Sequence, residues 1–245
     1  MAQQILLPNE FNIDNVNFLP PKKNTMGGQN VLLTYGEPDS RPGPLVFQTP
    51  RMRLPFGFDK QEPDSGGATK YSINASLAHG DGASTGLTMF TENIRALDSF
   101  ITDKSVEFSE KWFGKPLKAE VLSEFYRSCE KKPKAEHAGK WASTLKLKLP
   151  FRDSKAQFEV YDDKKKKIEV VDESGNPNLE CFQKGSEVVC LVQCTGMWFM
   201  GKTQFGIGWK VLQVKVFQTN KLVGYSIVDD DEPAEESDAE EEDIE

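Results

Sequence analysis

The 245 residues carry 30 Lys+Arg against 38 Asp+Glu, a formal charge of −8. Twelve of the acids and none of the bases lie in residues 229–245 (DDDEPAEESDAEEEDIE), so residues 1–228 hold 26 acids against 30 bases, a mildly basic body on an acidic tail. Sixteen Phe and four Trp exclude a globally disordered chain, and the longest uncharged stretch, the 14 residues of Val188–Gly201, falls short of the roughly 18 needed to span a bilayer.

The N-terminus shows no basic region followed by a long apolar one, only Ile5-Leu6-Leu7 before Pro8. No secretory signal is therefore expected, and the protein is expected to stay inside a cell. Residues 1–30, with Pro20-Pro21 and Gly27-Gly28, read as an irregular arm. Residues 31–228 read as one domain, opening with short strands punctuated by Pro38, Pro42, Gly43 and Pro44. Arg51-Met52-Arg53-Leu54 alternates basic and apolar side chains, Tyr71–Ala78 is a further strand candidate, and His79–Gly86 (HGDGASTG) reads as a loop.

Helical periodicity follows, in an insertion over about residues 91–130. Ile94, Leu97, Ile101, Phe108 and Trp112 share a face, with Thr91 as N-cap and Gly114/Pro116 as the stop. A second helix over Lys118–Cys129 groups Val121, Leu122, Phe125 and Cys129. The period then becomes two: Leu145, Leu147 and Leu149 alternate with Lys146 and Lys148. Phe158–Tyr161 and Ile168–Val171 flank a basic hairpin loop, Ser174–Asn178 is a turn, and Glu187–Met200 and Gln204–Phe217 are long strands. Strands, two helices, then more strands suit a mainly β (α+β) barrel or sandwich with a helical insertion.

Cys129, Cys181, Cys190 and Cys194 form no CxxC pair, and His79 and His137 stand apart. Reduced thiols in a reducing compartment, with no metal site and no cofactor, are the expectation. Gly196–Thr203 matches GxxxxGK[ST] formally. A phosphate loop needs backbone amides wrapped around phosphates and a helix starting at the Lys. Here the wrapped positions are Met197, Trp198, Phe199 and Met200, and a glycine-bent strand follows. Asn74-Ala75-Ser76 is a glycosylation acceptor on paper only, since nothing routes the chain to secretion.

The two long strands carry the functional signal. With Leu212, Val214 and Val216 facing the core, the other face presents Trp209, Val211, Gln213, Lys215 and Phe217. Trp198, Phe199, Lys202 and Phe205 surround the turn, and Lys210 lies at the bend, with either face open to it. An unpaired strand of nucleic acid needs π-surfaces for its bases and cations for its phosphates. The expected base-stacking residues are Trp198, Phe199, Phe205 and Trp209. The expected phosphate contacts are Arg51, Arg53, Lys146, Lys148, Lys202, Lys210 and Lys215. The acidic tail, with little apolar surface to bury, is expected to stay disordered and to compete for the cationic groove at high effective concentration.

Glu187–Phe217, together with Gln48-Thr-Pro-Arg-Met-Arg-Leu-Pro-Phe-Gly57, resembles the OB-fold single-stranded-DNA-binding proteins of large nucleocytoplasmic DNA viruses. These are similar in plan to the acidic-tailed single-stranded-DNA-binding proteins of short-tailed phages. The resemblance follows the order of elements over about residues 31–218, and Phe205-Gly-Ile-Gly-Trp-Lys210 is its most specific part. It implies an OB-type β-barrel with a two-helix insertion, a role in replication and recombination at virus replication sites, and a polymerase or helicase as tail partner. The phage tails end in an aromatic residue; this one ends Asp243-Ile244-Glu245, with Ile244 as the available apolar anchor.

The expectation is a non-enzymatic single-stranded-DNA-binding protein with no membrane partner, a homodimer being allowed, and a partner-binding tail running from Asp229 to Asp243, Ile244 and Glu245. Its rivals are an acidic-tailed histone or protein chaperone and, with less support, a nucleotide hydrolase acting through Gly196–Thr203.

Overall fold

The computed structural model describes residues 4–23, 28–37, 41–63, 67–78, 84–201 and 203–217. Its main sheet contains, in chain order, β1 (Lys22–Lys23), β2 (Gln29–Val31), β3 (Val46–Gln48), β4 (Met52–Arg53), β5 (Phe58–Gln61) and β6 (Lys70–Ser76). After the helices come β7 (Tyr126–Arg127), β8 (Glu130–Lys131), β9 (Thr144–Leu149), β10 (Glu159–Tyr161), β11 (Lys167–Ile168), β12 (Glu187–Met200) and β13 (Gln204–Phe217).

The spine is the antiparallel hairpin of β12 and β13, each 14 residues long. The far edge of β12 receives β4, β3 and β2 in turn, and the far edge of β13 receives β7, β9 and β10, these last three parallel to it. The path β1-β2-β12-β13-β9-β6-β5 ends without β1 meeting β5, so the sheet stays open among the described residues where a closed barrel was expected. The fold is mainly β with a helical insertion, as the order of elements suggested.

Strand alternation fills the inner face with Leu145, Leu147, Ile73, Val188, Val192 and Val214. Across it lies α1 (Thr85–Glu107), burying Leu87, Phe90, Ile94, Leu97 and Ile101 at helical spacing. The helix starts six residues before the expected N-cap, because Ser84 Oγ accepts the Leu87 N–H at 3.3 Å. Thr91 is instead an interior residue whose hydroxyl donates to the Leu87 carbonyl at 2.8 Å. After α1 the chain breaks at Phe108, forms α2 (Ser109–Phe113) and stops at Gly114, which adopts φ +75° as the glycine signal required. The second expected helix is shorter: α3 (Ala119–Phe125) gives way to β7 and β8, because Asp98 on α1 draws residues 126–129 into extended form. Its carboxylate accepts the Tyr126 and Ser128 hydroxyls, both at 2.5 Å, and the Cys129 N–H at 3.0 Å.

The N-terminal segment, expected as an irregular arm, is docked. Leu6 and Val16 enter the core, and Val16–Phe18 pairs with Leu33–Tyr35 in a small separate sheet. All four cysteines are buried free thiols, and burial pushes Cys190 and Cys194 up to about 12. No helix among the described residues is long and apolar enough to cross a membrane.

Arg95 on α1 grips Glu130 on β8 through two bonds of 2.8 Å, and Ser143 adds a third at 2.7 Å. The Arg95 hydrogen bond, opposed by burial, lowers the Glu130 carboxyl to about 2. Since the folded-state value lies below the unfolded one, this contribution to stability is complete above about pH 4.5 and fades as pH falls toward 2. Thermal unfolding followed from neutral pH to pH 2 is therefore expected to show a shallower acid decline for Glu130→Gln than for the parent. Parallel curves for the two proteins would remove the carboxylate from this role.

Candidate nucleic-acid interface

Two β-bulges decide which side chains face outward. The β12/β13 register runs from Leu191↔Gln213 to Val192↔Val211, skipping Leu212, and from Cys194↔Trp209 to Gly196↔Gly208, skipping Thr195. Each unmatched residue reverses the alternation along its strand. On β13 the buried series is accordingly Phe205, Ile207, Trp209 and Val211, then Val214 and Val216. On the opposite side lie Gly206 and Gly208, both buried beneath Trp198, Thr195 and Lys148, and then Lys210, Gln213, Lys215 and Phe217, which keep some exposure.

This corrects two of the expected stacking residues. Trp209 is 2% exposed; its indole N–H donates to Cys129 Sγ at 3.3 Å, and its ring meets Phe47 at 5.9 Å. Phe205 is 0% exposed, ringed by Tyr126 and Phe113, each at 5.2 Å. Val211 is buried with them. Carrying period two backward from Val214 across the bulge puts these residues on the wrong side. Phe199, half-buried, also packs against the core, stacked on Phe205 at 5.9 Å and against Phe113 at 5.5 Å. Trp198 alone of the four lies outward, opposite Gly206 in the register. A Cβ at Gly206 would stand 2.9 Å from Trp198 Cζ2 and 2.7 Å from the Arg127 carbonyl oxygen. The missing side chain is what lets the indole lie against the strand.

Cations border these two buried glycines. Lys148 and Lys210 are register partners across the parallel β9/β13 contact. Lys148 Nζ lies over Gly208, 3.3 Å from where a Cβ would be, and the Thr195 hydroxyl lies closer still to that point. Burial of that ammonium, then the like charges of Lys70 and Lys146, lower the Lys148 pKa. Lys131 is lowered by burial and by Lys146, with Asp59 opposing. Lys146 reaches Asp59 at 3.6 Å. Among the described residues no carboxylate comes within ion-pair distance of Lys131, Lys148 or Lys210. Lys131 and Lys148, whose charged forms burial and neighbouring like charges disfavour, form a site that an incoming anion relieves.

Arg51 and Lys215 belong to a different group. Arg51 pairs with Glu187 at 2.6 Å and lies 3.9 Å over the Phe217 ring, with Lys215 Nζ 5.1 Å from the same ring. Arg53, exposed on β4, is register partner to Glu187. Five residues of β13 separate Lys215 from Lys210, about 17 Å along the strand. Lys202, Asp229, Asp243, Ile244 and Glu245 lie outside the described residues.

Gly196–Thr203 does not form a phosphate loop. Residues 197–200 run on in β12, paired to β13, and Gln204 begins the return strand.

Sequence reasoning missed a cleft next to this face. Trp141 is 50% exposed and Phe56 is 55% exposed, with ring centroids 6.0 Å apart, and Lys131, Lys132 and Lys134 line the same cleft. The available signal was a tryptophan in a lysine-rich loop, residues 131–141 (KKPKAEHAGKW).

Fold and face together define a mainly β protein with an open sheet and a helical insertion, whose outer wall carries Lys148 and Lys210. The chain belongs to DUF5871, a family of unknown function whose model matches residues 84–229. Among solved structures it is similar to the single-stranded DNA-binding protein gp2.5 of bacteriophage T7, at 12% identity and a TM-score of 0.46, covering 78% of this chain and 98% of that one. It is also similar to the single-stranded DNA-binding protein of bacteriophage Enc34 in complex with single-stranded DNA, at 15% identity and a TM-score of 0.37, covering 84% and 98%. No curated protein matches the sequence.

Proposed function

We propose that the chain binds single-stranded DNA with little sequence preference along the outer face of β12, β13 and β9, during replication and recombination. The observation that carries this is the set Lys131, Lys148 and Lys210, not paired to carboxylates among the described residues and linked through the β8/β9 and β9/β13 registers. Phosphates supply the missing anions, and Trp198, seated on Gly206, offers a ring edge beside the cations. Sequence preference is weak because every base has a π-face.

The acidic tail, Asp229–Glu245, competes for the same face and, once displaced, recruits a polymerase or helicase. The 28 residues after Phe217 can extend at most about 3.5 Å each, far more than the ~23 Å from Phe217 back to Lys210. Twelve carboxylates tethered beside the face act as an intramolecular competitor at an effective concentration near millimolar. Four buried free thiols fit work inside a reducing compartment.

Deleting Asp229–Glu245 is expected to raise affinity for oligo-dT by about tenfold or more, with most of the gain at low salt. A truncated protein that loses binding to a basic client and gains nothing for DNA instead marks a protein chaperone.

A further inference from the structure

We propose that the cleft lined by Phe56 and Trp141, whose rings meet edge to face, takes an unpaired nucleobase of the bound strand against their exposed surface, with the phosphates flanking that base held by Lys131, Lys132 and Lys134. This rests on the single-strand reading above and adds to it a base site off the sheet face.

The cleft encloses about 450 Å³, within the ~300–1,000 Å³ typical of small-ligand sites. Isolated exposed apolar side chains need no explanation, but two neighbouring aromatic rings, each half exposed, form a patch held out of the core. Trp141 is also held in place. The His137 imidazole stacks on its indole with centroids 3.6 Å apart at 24°, and the Trp141 N–H closes a turn onto the His137 carbonyl at 3.2 Å. A ring fixed before binding loses little entropy on stacking.

The rim says which occupant fits. Three lysines line it, and its single carboxylate, Glu136, is turned onto His137 Nε2 at 3.5 Å. An apolar peptide has no use for three ammonium groups; a base flanked by phosphates uses both the rings and the charges. Asn74, also lining the cleft, brings an amide with donors and an acceptor for the edge of a base. The cleft is continuous with the face, since Lys131 and Asn74 belong to both. Asn74 is register partner to Lys146 on β9, two residues from Lys148, and Lys131 is partner to Thr144. One strand can therefore run from Lys148 past Lys146 into the cleft.

The test uses the full-length chain, oligo-dT and an abasic strand of equal length. The parent is expected to prefer oligo-dT. Trp141→Ala and Phe56→Ala/Trp141→Ala are expected to lose roughly tenfold in affinity for oligo-dT and little for the abasic strand, with the salt dependence unchanged, because no phosphate contact is removed. Photo-crosslinking the unmutated protein to 5-iododeoxyuridine-substituted oligo-dT gives an independent readout that needs no variant, and is expected to label the peptide containing Trp141. A parent that binds oligo-dT, with Trp141→Ala indistinguishable from it and crosslinks elsewhere, overturns the base site and leaves single-strand binding standing. A parent that binds neither strand overturns both.

Discussion

Replacing Lys148 and Lys210 together by glutamine is expected to lower affinity for single-stranded DNA roughly 25-fold at ~0.1 M salt and to flatten the slope of log K against log salt by about 1.4. The figure follows from counterion release: each phosphate contact on a single strand contributes about 0.7 to the slope, and two contacts are removed. Folding is expected to behave in the opposite way. The Lys148 ammonium is held against the sheet and beside Lys70 and Lys146, which is why its pKa is lowered. Its charged form is thus less favourable folded than unfolded, and glutamine is expected to leave the melting temperature unchanged or raised. Weaker binding by a protein at least as stable separates a binding role from a packing role. Lys164→Gln/Lys166→Gln, in the exposed turn between β10 and β11, serves as the control and should change neither quantity.

Gly196→Ala is expected to cost about 3 kcal/mol or more of folding stability, through two additive causes. Gly196 has φ +91°, a conformation that costs an L-residue roughly 1–2 kcal/mol. A Cβ there would also stand 2.5 Å from the Val31 carbonyl oxygen and 3.0 Å from Leu32 Cα, both backbone atoms that cannot rotate away. Forcing an extra carbon into a packed site adds typically 1–3 kcal/mol. That is a large share of a domain stability of about 5–15 kcal/mol. The strain falls where β2 pairs with Met197 and Trp198, so the change should also loosen the edge that holds Trp198. Urea denaturation measures the first effect; a midpoint equal to the parent's would show that the bulge can absorb a side chain.

Much of the fold was legible because its strands obey simple alternation. Leu145, Leu147 and Leu149 do face the core, and the long strands lie where their apolar runs begin and end. Gln213, Lys215 and Phe217 do point outward, and the structure puts Lys210, whose side the sequence left open, with them. The failures trace to particular residues. Leu212 and Thr195 carry no chemical mark of a bulge, yet each reverses the phase, and this sent Trp209 to the wrong face. The start of α1 was hidden by Gly86, a poor helix former within the first turn, although Ser84 supplied a proper cap. The early end of the second helix depends on Asp98, some thirty residues upstream, and no local pattern reports such a contact. Trp141 was passed over because a loop rich in Lys and Gly reads as solvent-exposed spacer, and only the fold reveals that Phe56 stands beside it.

Acetylation of lysines by a water-soluble reagent, read by mass spectrometry with and without oligo-dT, tests the central claim most directly. Lys131, Lys146, Lys148 and Lys210 are expected to become protected as DNA is added, and to lose that protection as salt rises, while Lys164–Lys167 react as before. Unchanged labelling of Lys148 and Lys210 at saturating DNA, or protection confined to Lys164–Lys167, would contradict the assignment of the strand to this face.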